Sequence, residues 1–238
     1  MNYNGLDTIE KGEGKVLLFL HGYMSNKASF NYQINFFSKY YKVVAFDFTG
    51  FGKSKKMEFP YNLDDYVNEV VSLINTLNVD KVDIIAHSFG ARVALKLATV
   101  DNRVNKLVLT GAAGMKPRRN VSYYFKVYTY KILKKLFKNK SFNKFGSSEY
   151  KSLNPIMKKS YVYIVNEHLN KILKNINNKT LIISGSLDKQ TPPYLQKRMA
   201  KNLKNGSLIF IKGAEHFAFV SHYNQFNLIT REFLLGDI

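Results

Sequence analysis

Six continuous apolar runs of strand length constrain the fold of this chain more than any other feature of its sequence. Their apolar residues do not alternate with polar ones, which is typical of strands buried on both faces. Helical stretches lie between them, and this alternation predicts an α/β fold with a mostly parallel central sheet and helices on both faces. The runs lie at 16–21, 43–48, 82–87, 106–111, 180–185 and 207–212.

The segments between these runs have the spacing of amphipathic helices. In 62–77 the apolar residues recur on one face, and Asn62 with Asp65 has the pattern of a capping box. Further helices are predicted at 90–99, 192–203 and 221–235. Ligands of parallel sheets bind beyond the carboxyl ends of the strands, so polar residues at those ends are the first candidates for a site.

One long segment, 115–179, interrupts the alternation between the fourth and fifth runs. It contains amphipathic helix candidates, of which 122–137 is the clearest, and a stretch at 138–148 whose composition favours a flexible hinge. We therefore predict that 1–114 and 180–238 form the α/β core. Residues 115–179 are predicted to form an inserted basic helical cap.

The predicted cap carries most of the positive charge of the chain. It holds 16 Lys and Arg against 2 acidic residues, a net charge of +14 out of +19. Such a segment can meet an anionic partner. However, Lys outnumbers Arg 30 to 6, and Arg is the residue favoured for phosphate and base recognition. We expect a solvated basic surface and no nucleic acid partner, with contact to a membrane surface as the less favoured alternative.

The composition excludes several classes of site. The chain has no cysteine, which rules out disulfides, a Cys nucleophile and thiolate metal sites. Its histidines lack the H-x-x-x-H spacing of a zinc site, and we expect neither a metal nor a cofactor. No run reaches the ~18 apolar residues of a membrane helix, and the first residues lack the apolar core of a secretory signal. The sequence predicts a soluble, cytoplasmic protein of undetermined oligomeric state.

Three polar residues follow predicted strands in an order that suggests nucleophilic catalysis. Ser88 follows 82–87, and Asp188 and His216 follow the last two runs. A serine hydroxyl needs a base within hydrogen-bond reach, and that base needs a partner to fix its tautomer. We predict Ser88 as the nucleophile, His216 as the base and Asp188 as the orienting acid. The alternatives are a helix N-cap for Ser88 and an ordinary turn residue for Asp188.

This arrangement resembles the α/β-hydrolase superfamily along nearly the whole chain. The matching segments are LFLHGYMSN, DFTGFGKS, AHSFGA, GSLDKQTPP and GAEHFAF. The resemblance implies a sharp strand-to-helix turn at 86–90, in which Ala86 stands where the family usually has Gly. It assigns the oxyanion hole to the backbone N–H groups of Tyr23 and Phe89. It also implies that Asp47 is a structural residue.

Four further residues lie near the predicted site in the sequence or in the expected fold. His21 and His87 are expected to hold loops in shape. Glu215, where the family usually has Gly, either tunes its neighbour His216 or binds a polar substrate group. Arg92, four residues after the nucleophile, is expected to pack or pair below the site, with binding of a substrate carboxylate as the alternative.

The resemblance implies acyl transfer to water, with a small-molecule acyl substrate. The aromatic and aliphatic residues of the cap predict an apolar pocket and hence carboxylic esters of short to medium acyl chain. A carbon–carbon bond hydrolase or related lyase uses the same triad and is the alternative. A non-catalytic ligand-binding protein on the same fold is the alternative from another class.

Overall fold

The computed structural model describes residues 2–118, 150 and 152–236. Its strands form one eight-stranded sheet, in the spatial order β1-β2-β4-β3-β5-β6-β7-β8. The strands are β1 (Asn2–Tyr3), β2 (Leu6–Lys11), β3 (Val16–Leu20), β4 (Lys42–Phe46), β5 (Val82–His87), β6 (Val104–Thr110), β7 (Thr180–Gly185) and β8 (Gly206–Ile211). All six predicted strands are therefore present, with boundaries shifted by at most two residues.

The sheet is parallel from β4 to β8 and antiparallel at its other edge, where β2 pairs with β4 and β1 with β2. The sequence analysis missed β1 and β2. In β2 the buried Leu6 and Thr8 alternate with the partly exposed Asp7 and Ile9, because one face of this strand is less covered. Its pattern is therefore not the continuous apolar run that marks the parallel strands.

The helices lie on both faces of the sheet, as predicted. On one face Leu18 and Ile84 pack in a cluster with Tyr66. On the other face Leu17 packs in a second cluster with Phe37. Adjacent residues of β3 thus enter two different cores, which explains why the strand is apolar throughout. The helices are α1 (Asn31–Phe37), α2 (Leu63–Leu77), α3 (Phe89–Leu97), α4 (Pro155–Asn166), α5 (Pro193–Asn202), α6 (Ala218–Ser221) and α7 (Tyr223–Leu235), with short 3₁₀ turns at Lys27–Phe30 and Leu173–Asn175.

The capping box predicted for α2 is present. The Asn62 side chain accepts hydrogen bonds from the N–H groups of Asp64 and Asp65, and the Asp65 carboxylate accepts one from the Asn62 N–H. The helix predicted at 221–235 is divided into α6 and α7. Among the described residues, no helix combines the length and apolar character that crossing a bilayer requires.

The prediction that 207–212 is buried on both faces is wrong. Along most of β8 partly buried and exposed positions alternate, and Ile209 is 38% exposed. The strand lies at the edge of the sheet and pairs only with β7 among the described strands. One face of β8 therefore lacks a full cover of helices.

The predicted cap lies partly outside the described residues, including its helix candidate 122–137 and the stretch 138–148. Within it, α4 packs on the core next to the carboxyl ends of the strands. The Ser160 hydroxyl donates to the carbonyl of Tyr61 over 2.6 Å, and the Tyr23 hydroxyl donates to that of Met157 over 3.1 Å. The division into core and cap stays a prediction.

Candidate active site

Ser88 forms the turn between β5 and α3 with an unusual backbone. Its φ of 50° and ψ of −104° lie in a region that costs a non-glycine residue roughly 1–3 kcal/mol. The Ser88 N–H donates to the carbonyl of Thr110, and its own carbonyl accepts from the N–H of Ala113. The side chain makes no capping bond to α3, so a helix cap does not explain this serine.

Small residues allow the turn to approach β3 and its following loop closely. At Gly90 an added Cβ would lie 2.1 Å from the carbonyl oxygen of Leu20, closer than any side-chain carbon tolerates. At Gly22 an added Cβ would lie 2.7 Å from Nδ1 of His87. Ala86, fully buried, occupies the remaining small position. The small residues on either side of Ser88 therefore meet a steric requirement of the turn.

Asp188 lies beside His216, the base that it is predicted to orient. Nδ1 of His216 lies 2.9 Å from Oδ2 of Asp188, and both residues are buried. The Thr191 hydroxyl also donates to Oδ2, while the N–H groups of Gln190 and Thr191 donate to Oδ1. Burial by itself would raise the pKa of Asp188, but the bonds from His216 and Thr191 lower it to about 2. An ionised Asp188 holds the proton of the ring on Nδ1, which leaves Nε2 free to accept another.

The two residues predicted to form the oxyanion hole are neighbours in space. The rings of Tyr23 and Phe89 pack edge to face, with centroids 5.5 Å apart. Phe89 is the first residue of α3, so its N–H has no acceptor within the helix. Within the described ranges, the N–H of Tyr23 likewise donates to no backbone carbonyl. Their role as oxyanion donors stays a prediction.

A cavity of about 210 Å³ brings the predicted residues together. Ser88, His216, Tyr23 and Phe89 all line it, while Asp188 lies behind His216. Much of the remaining wall is apolar, and part of it comes from α4. The apolar and aromatic lining residues include Met24, Leu153, Tyr161, Ile164, Val165 and Phe217.

His21 and His87 are both buried and neutral. The Phe48 N–H donates to Nε2 of His21, which places the proton on Nδ1, from which the ring bonds to the carbonyl of Gly22. Burial lowers the pKa of His21 to about 4. Burial and the neighbouring His216 lower the pKa of His87 to about 3, and the two rings lie 4.7 Å apart. His21 thus shapes the loop as predicted, whereas His87 is also part of the cavity wall.

Asp47 has the structural surroundings that were predicted for it. Its carboxylate accepts from the ammonium and N–H of Lys27 and from the N–H of Lys53, over 2.7 to 2.9 Å. At Gly52, φ is +53° and an added Cβ would lie 2.0 Å from Oδ2 of Asp47. Burial opposes ionisation, but the bonds from Lys27 and Lys53 keep the pKa of Asp47 below its usual range. No pattern in the sequence marks Lys27 as its partner.

Arg92 and Glu215 differ in their relation to the cavity. Arg92 lines it and donates from Nη1 to the carbonyls of Ile164 and Glu167 at the end of α4. Arg92 therefore pairs with the end of α4, which belongs to the predicted cap. Glu215 is exposed and is not one of the described residues of the cavity wall. In the parts of the chain that the structure describes, no three His, Asp or Glu side chains cluster as metal ligands would.

Sequence reasoning missed several residues that complete this site. Thr191 and Gln190 fix Asp188, and Tyr150 and Tyr161 form part of the cavity wall. Thr191 could have been found from its place three residues after the predicted acid, since such a residue is within reach of the carboxylate through a local turn. No local pattern marks the two tyrosines.

Two family models match parts of the chain. Residues 15–129 match a family model described as alpha/beta hydrolase fold, and residues 163–235 match one described as TAP-like protein. An AB hydrolase superfamily protein of Bacillus subtilis is 24% identical over 93% of this chain and 92% of its own length. A 2-hydroxy-6-oxo-6-(2'-aminophenyl)hexa-2,4-dienoic acid hydrolase of Metapseudomonas resinovorans is 30% identical, over 48% of this chain and 42% of that enzyme.

The fold itself recurs in solved structures. An esterase from Exiguobacterium antarcticum superposes with a TM-score of 0.77 at 21% identity, covering 97% of this chain and 96% of that chain. Such low identity is evidence for the fold alone. Since the two family models together match residues 15–129 and 163–235, which is most of the chain, the chain belongs to the α/β-hydrolase superfamily.

Proposed function

We propose that this chain is a serine hydrolase that cleaves carboxylic esters of short to medium acyl chain. The observation that carries the proposal is the setting of Ser88. This serine sits in a strained turn, is partly accessible, and shares one cavity with His216, whose Nδ1 is held by Asp188. A structural serine needs neither the strain nor the oriented histidine.

In the proposed reaction Ser88 Oγ attacks the ester carbonyl while Nε2 of His216 takes its proton. The N–H groups of Tyr23 and Phe89 donate to the oxyanion, and one such donor typically contributes ~10²–10³ in rate. His216 then returns the proton to the leaving alcohol, which gives the acyl-enzyme. Water, deprotonated by the same histidine, attacks the acyl-enzyme and releases the carboxylic acid and Ser88.

The cavity supports the proposed size of the acyl group. Its volume of about 210 Å³ is below the range of roughly 300–1,000 Å³ that drug-sized ligands occupy. Its mostly apolar wall suits a short alkyl chain better than a long one that would overfill it. We therefore expect butyrate esters to be hydrolysed with a higher kcat/KM than octanoate esters.

The test combines a fluorophosphonate probe with 4-nitrophenyl acetate, butyrate and octanoate, applied to the parent and to Ser88→Ala. We expect labelling and turnover in the parent and neither in Ser88→Ala. Ser184→Ala is the matched control, because Ser184 is buried in β7 and is not part of the described cavity wall. Labelling that persists in Ser88→Ala would assign the nucleophile elsewhere. A folded parent that neither labels nor turns over would favour the ligand-binding alternative.

Carbon–carbon bond hydrolysis, or a related lyase reaction, is the second candidate. It is favoured by the similarity to the dienoic acid hydrolase of Metapseudomonas resinovorans. The same serine, histidine and acid would serve both reactions, so substrate panels must separate them. Ser88-dependent labelling together with turnover of a 2-hydroxy-6-oxohexa-2,4-dienoate and none of the aryl esters would favour this candidate over ester hydrolysis.

A further inference from the structure

Arg92 is a buried cation in the wall of the catalytic cavity. It is 8% exposed and follows Ser88 by four residues at the start of α3. Ser88 and Arg92 both line this cavity. A group bound to the guanidinium would therefore share the cavity with a carbonyl held at Ser88.

The hydrogen bonds of Arg92 use only part of its guanidinium. Nη1 donates to the carbonyl oxygens of Ile164 at 3.0 Å and Glu167 at 2.6 Å. In the described part of the chain, Nε and Nη2 donate to no protein acceptor. Carbonyl oxygens satisfy donors but do not neutralise a charge, so among the described residues the guanidinium forms no ion pair.

The nearby carboxylates are already paired with another residue. Lys96, one turn further along α3, binds the Glu167 carboxylate at 2.5 Å and that of Asp64 at 2.8 Å. Among the lining residues that the structure describes, none is Asp or Glu. Burial lowers the pKa of Arg92 to about 10, so the group is still protonated at neutral pH. The described cavity wall therefore holds a positive charge, and the carboxylate that acts on it electrostatically, that of Glu167, is bound to Lys96.

We infer that Arg92 binds a carboxylate group of the substrate, and that the physiological substrate is an acyl compound bearing a second, acidic group. The inference rests on the proposed function and specifies its substrate class. A guanidinium presents paired donors that match the two oxygens of a carboxylate, and a cavity that excludes water strengthens this pairing. Nη1 keeps the end of α4 in place, while the remaining donors are available to the substrate.

The test compares two esters of nearly equal shape, 4-nitrophenyl hydrogen glutarate and 4-nitrophenyl 5-methylhexanoate, after subtraction of spontaneous hydrolysis. Their terminal groups, a carboxylate and an isopropyl group, differ mainly in charge. We expect the parent to favour the glutarate ester in kcat/KM. In Arg92→Gln, which keeps a donor for the α4 carbonyls, the acid-to-neutral ratio of kcat/KM falls by about 10- to 100-fold. Arg92→Lys keeps the charge and retains part of the preference.

Lys159→Gln is the matched control, because it removes an exposed cation from α4 without altering the described cavity wall or freeing the Glu167 carboxylate from Lys96. Its ratio should equal that of the parent. A purely structural Arg92 would lower kcat/KM for both esters alike and leave the ratio unchanged, which would overturn the inference. An equal fall in the ratio in Lys159→Gln would also overturn it. If Arg92→Gln does not fold, Arg92→Lys decides by the same ratio.

Binding of glutarate to Ser88→Ala, measured by calorimetry with and without Arg92→Gln, separates this inference from the proposed function. Arg92-dependent binding without turnover of either ester would retain the carboxylate site and reject ester hydrolysis. Ester turnover without an acid preference, together with no glutarate binding, would reject the carboxylate site and retain the hydrolase.

Discussion

Tyr23 and Arg92 hold opposite ends of the same helix, α4. The Tyr23 hydroxyl donates to the carbonyl of Met157, near the start of α4, and Arg92 donates to that of Ile164, near its end. Tyr23 belongs to the loop after β3 and Arg92 to the helix that follows Ser88. The described part of the predicted cap is thus attached to the core through the two segments that frame the candidate nucleophile.

We predict that Tyr23→Phe lowers the free energy of unfolding by about 0.5–1.5 kcal/mol, because one largely buried hydrogen bond is lost. The proposed oxyanion donor is the backbone N–H, which this change retains. We therefore expect less than a 10-fold fall in kcat for 4-nitrophenyl acetate, well below the ~10²–10³ typical for loss of an oxyanion donor. Urea unfolding and steady-state kinetics measure the two effects. If turnover fell by about 100-fold or more, the hydroxyl itself would take part.

Asp188→Asn should lower kcat by about 10³- to 10⁴-fold. An amide in this position can present its NH₂ group to Nδ1 of His216 and so move the ring proton to Nε2, where it blocks transfer from Ser88. Thr191→Val, which removes only the hydroxyl that donates to Asp188, should cost no more than about 10-fold. Equal losses in the two variants would show that the carboxylate has no special role.

Gly90→Ala should destabilise the fold by about 3 kcal/mol or more, because its Cβ would overlap the Leu20 carbonyl at 2.1 Å and push α3 away from β3. Gly213→Ala is the comparison. Its φ is +76° but no atom lies within 4 Å of the added carbon, so only the backbone strain of about 1 kcal/mol remains. Urea midpoints rank the two, and equal costs would contradict the steric argument.

Asp47 and Lys27 should contribute to stability as a coupled pair. Asp47→Asn leaves the buried ammonium of Lys27 with a neutral amide and the carboxylate of Asp7, and we expect a loss of about 2 kcal/mol. Lys27→Met combined with Asp47→Asn should cost less than the sum of the single changes, by about 1 kcal/mol or more. Strict additivity in urea unfolding would contradict a coupled pair.

Glu69 should make stability fall as the pH rises. Burial raises its pKa to about 6, despite hydrogen bonds from Thr49 that favour the charged form. The folded state thus holds this proton more tightly than the unfolded chain, whose glutamates have a pKa of about 4.3. The stabilisation is complete below about pH 4 and is lost as the pH passes through about 6, by about 2 kcal/mol in all.

Glu69→Gln removes this titration and keeps an acceptor for Thr49. The difference in unfolding free energy between the variant and the parent should therefore shift by about 1–2 kcal/mol in favour of the variant between about pH 4.5 and 7.5. Because His21 and His87 titrate in both proteins, they cancel in this difference. A gap that does not change with pH would contradict the raised pKa.

The fold was predictable where the sequence pattern reflects burial on both faces. Leu17 and Leu18 enter opposite cores, so β3 could be identified as a strand without knowledge of its partners. The edge strands were not predictable in the same way, because the exposure of Ile209 in β8 depends on the position of that strand in the sheet. Residue order along the chain does not contain that information.

The residues of the candidate site also differ in how far the sequence could predict them. Ser88, Asp188 and His216 could be predicted because each follows a strand of a parallel sheet, whose carboxyl ends converge. Lys27 and Arg92 could not be assigned in this way. The partners of Arg92 are carbonyl groups of α4 and its end, more than seventy positions away in sequence, and backbone carbonyls leave no trace in residue type.

The backbone of Ser88 has a consequence for how this protein changes under selection. At φ 50° and ψ −104° glycine would be less strained than serine, so replacing Ser88 by glycine would relieve the backbone. Selection for stability alone would therefore be expected to replace Ser88 with glycine. Retention of the serine in descendants of this chain would therefore indicate selection for its hydroxyl group. Replacement by glycine would indicate a relative that keeps the fold without the proposed reaction.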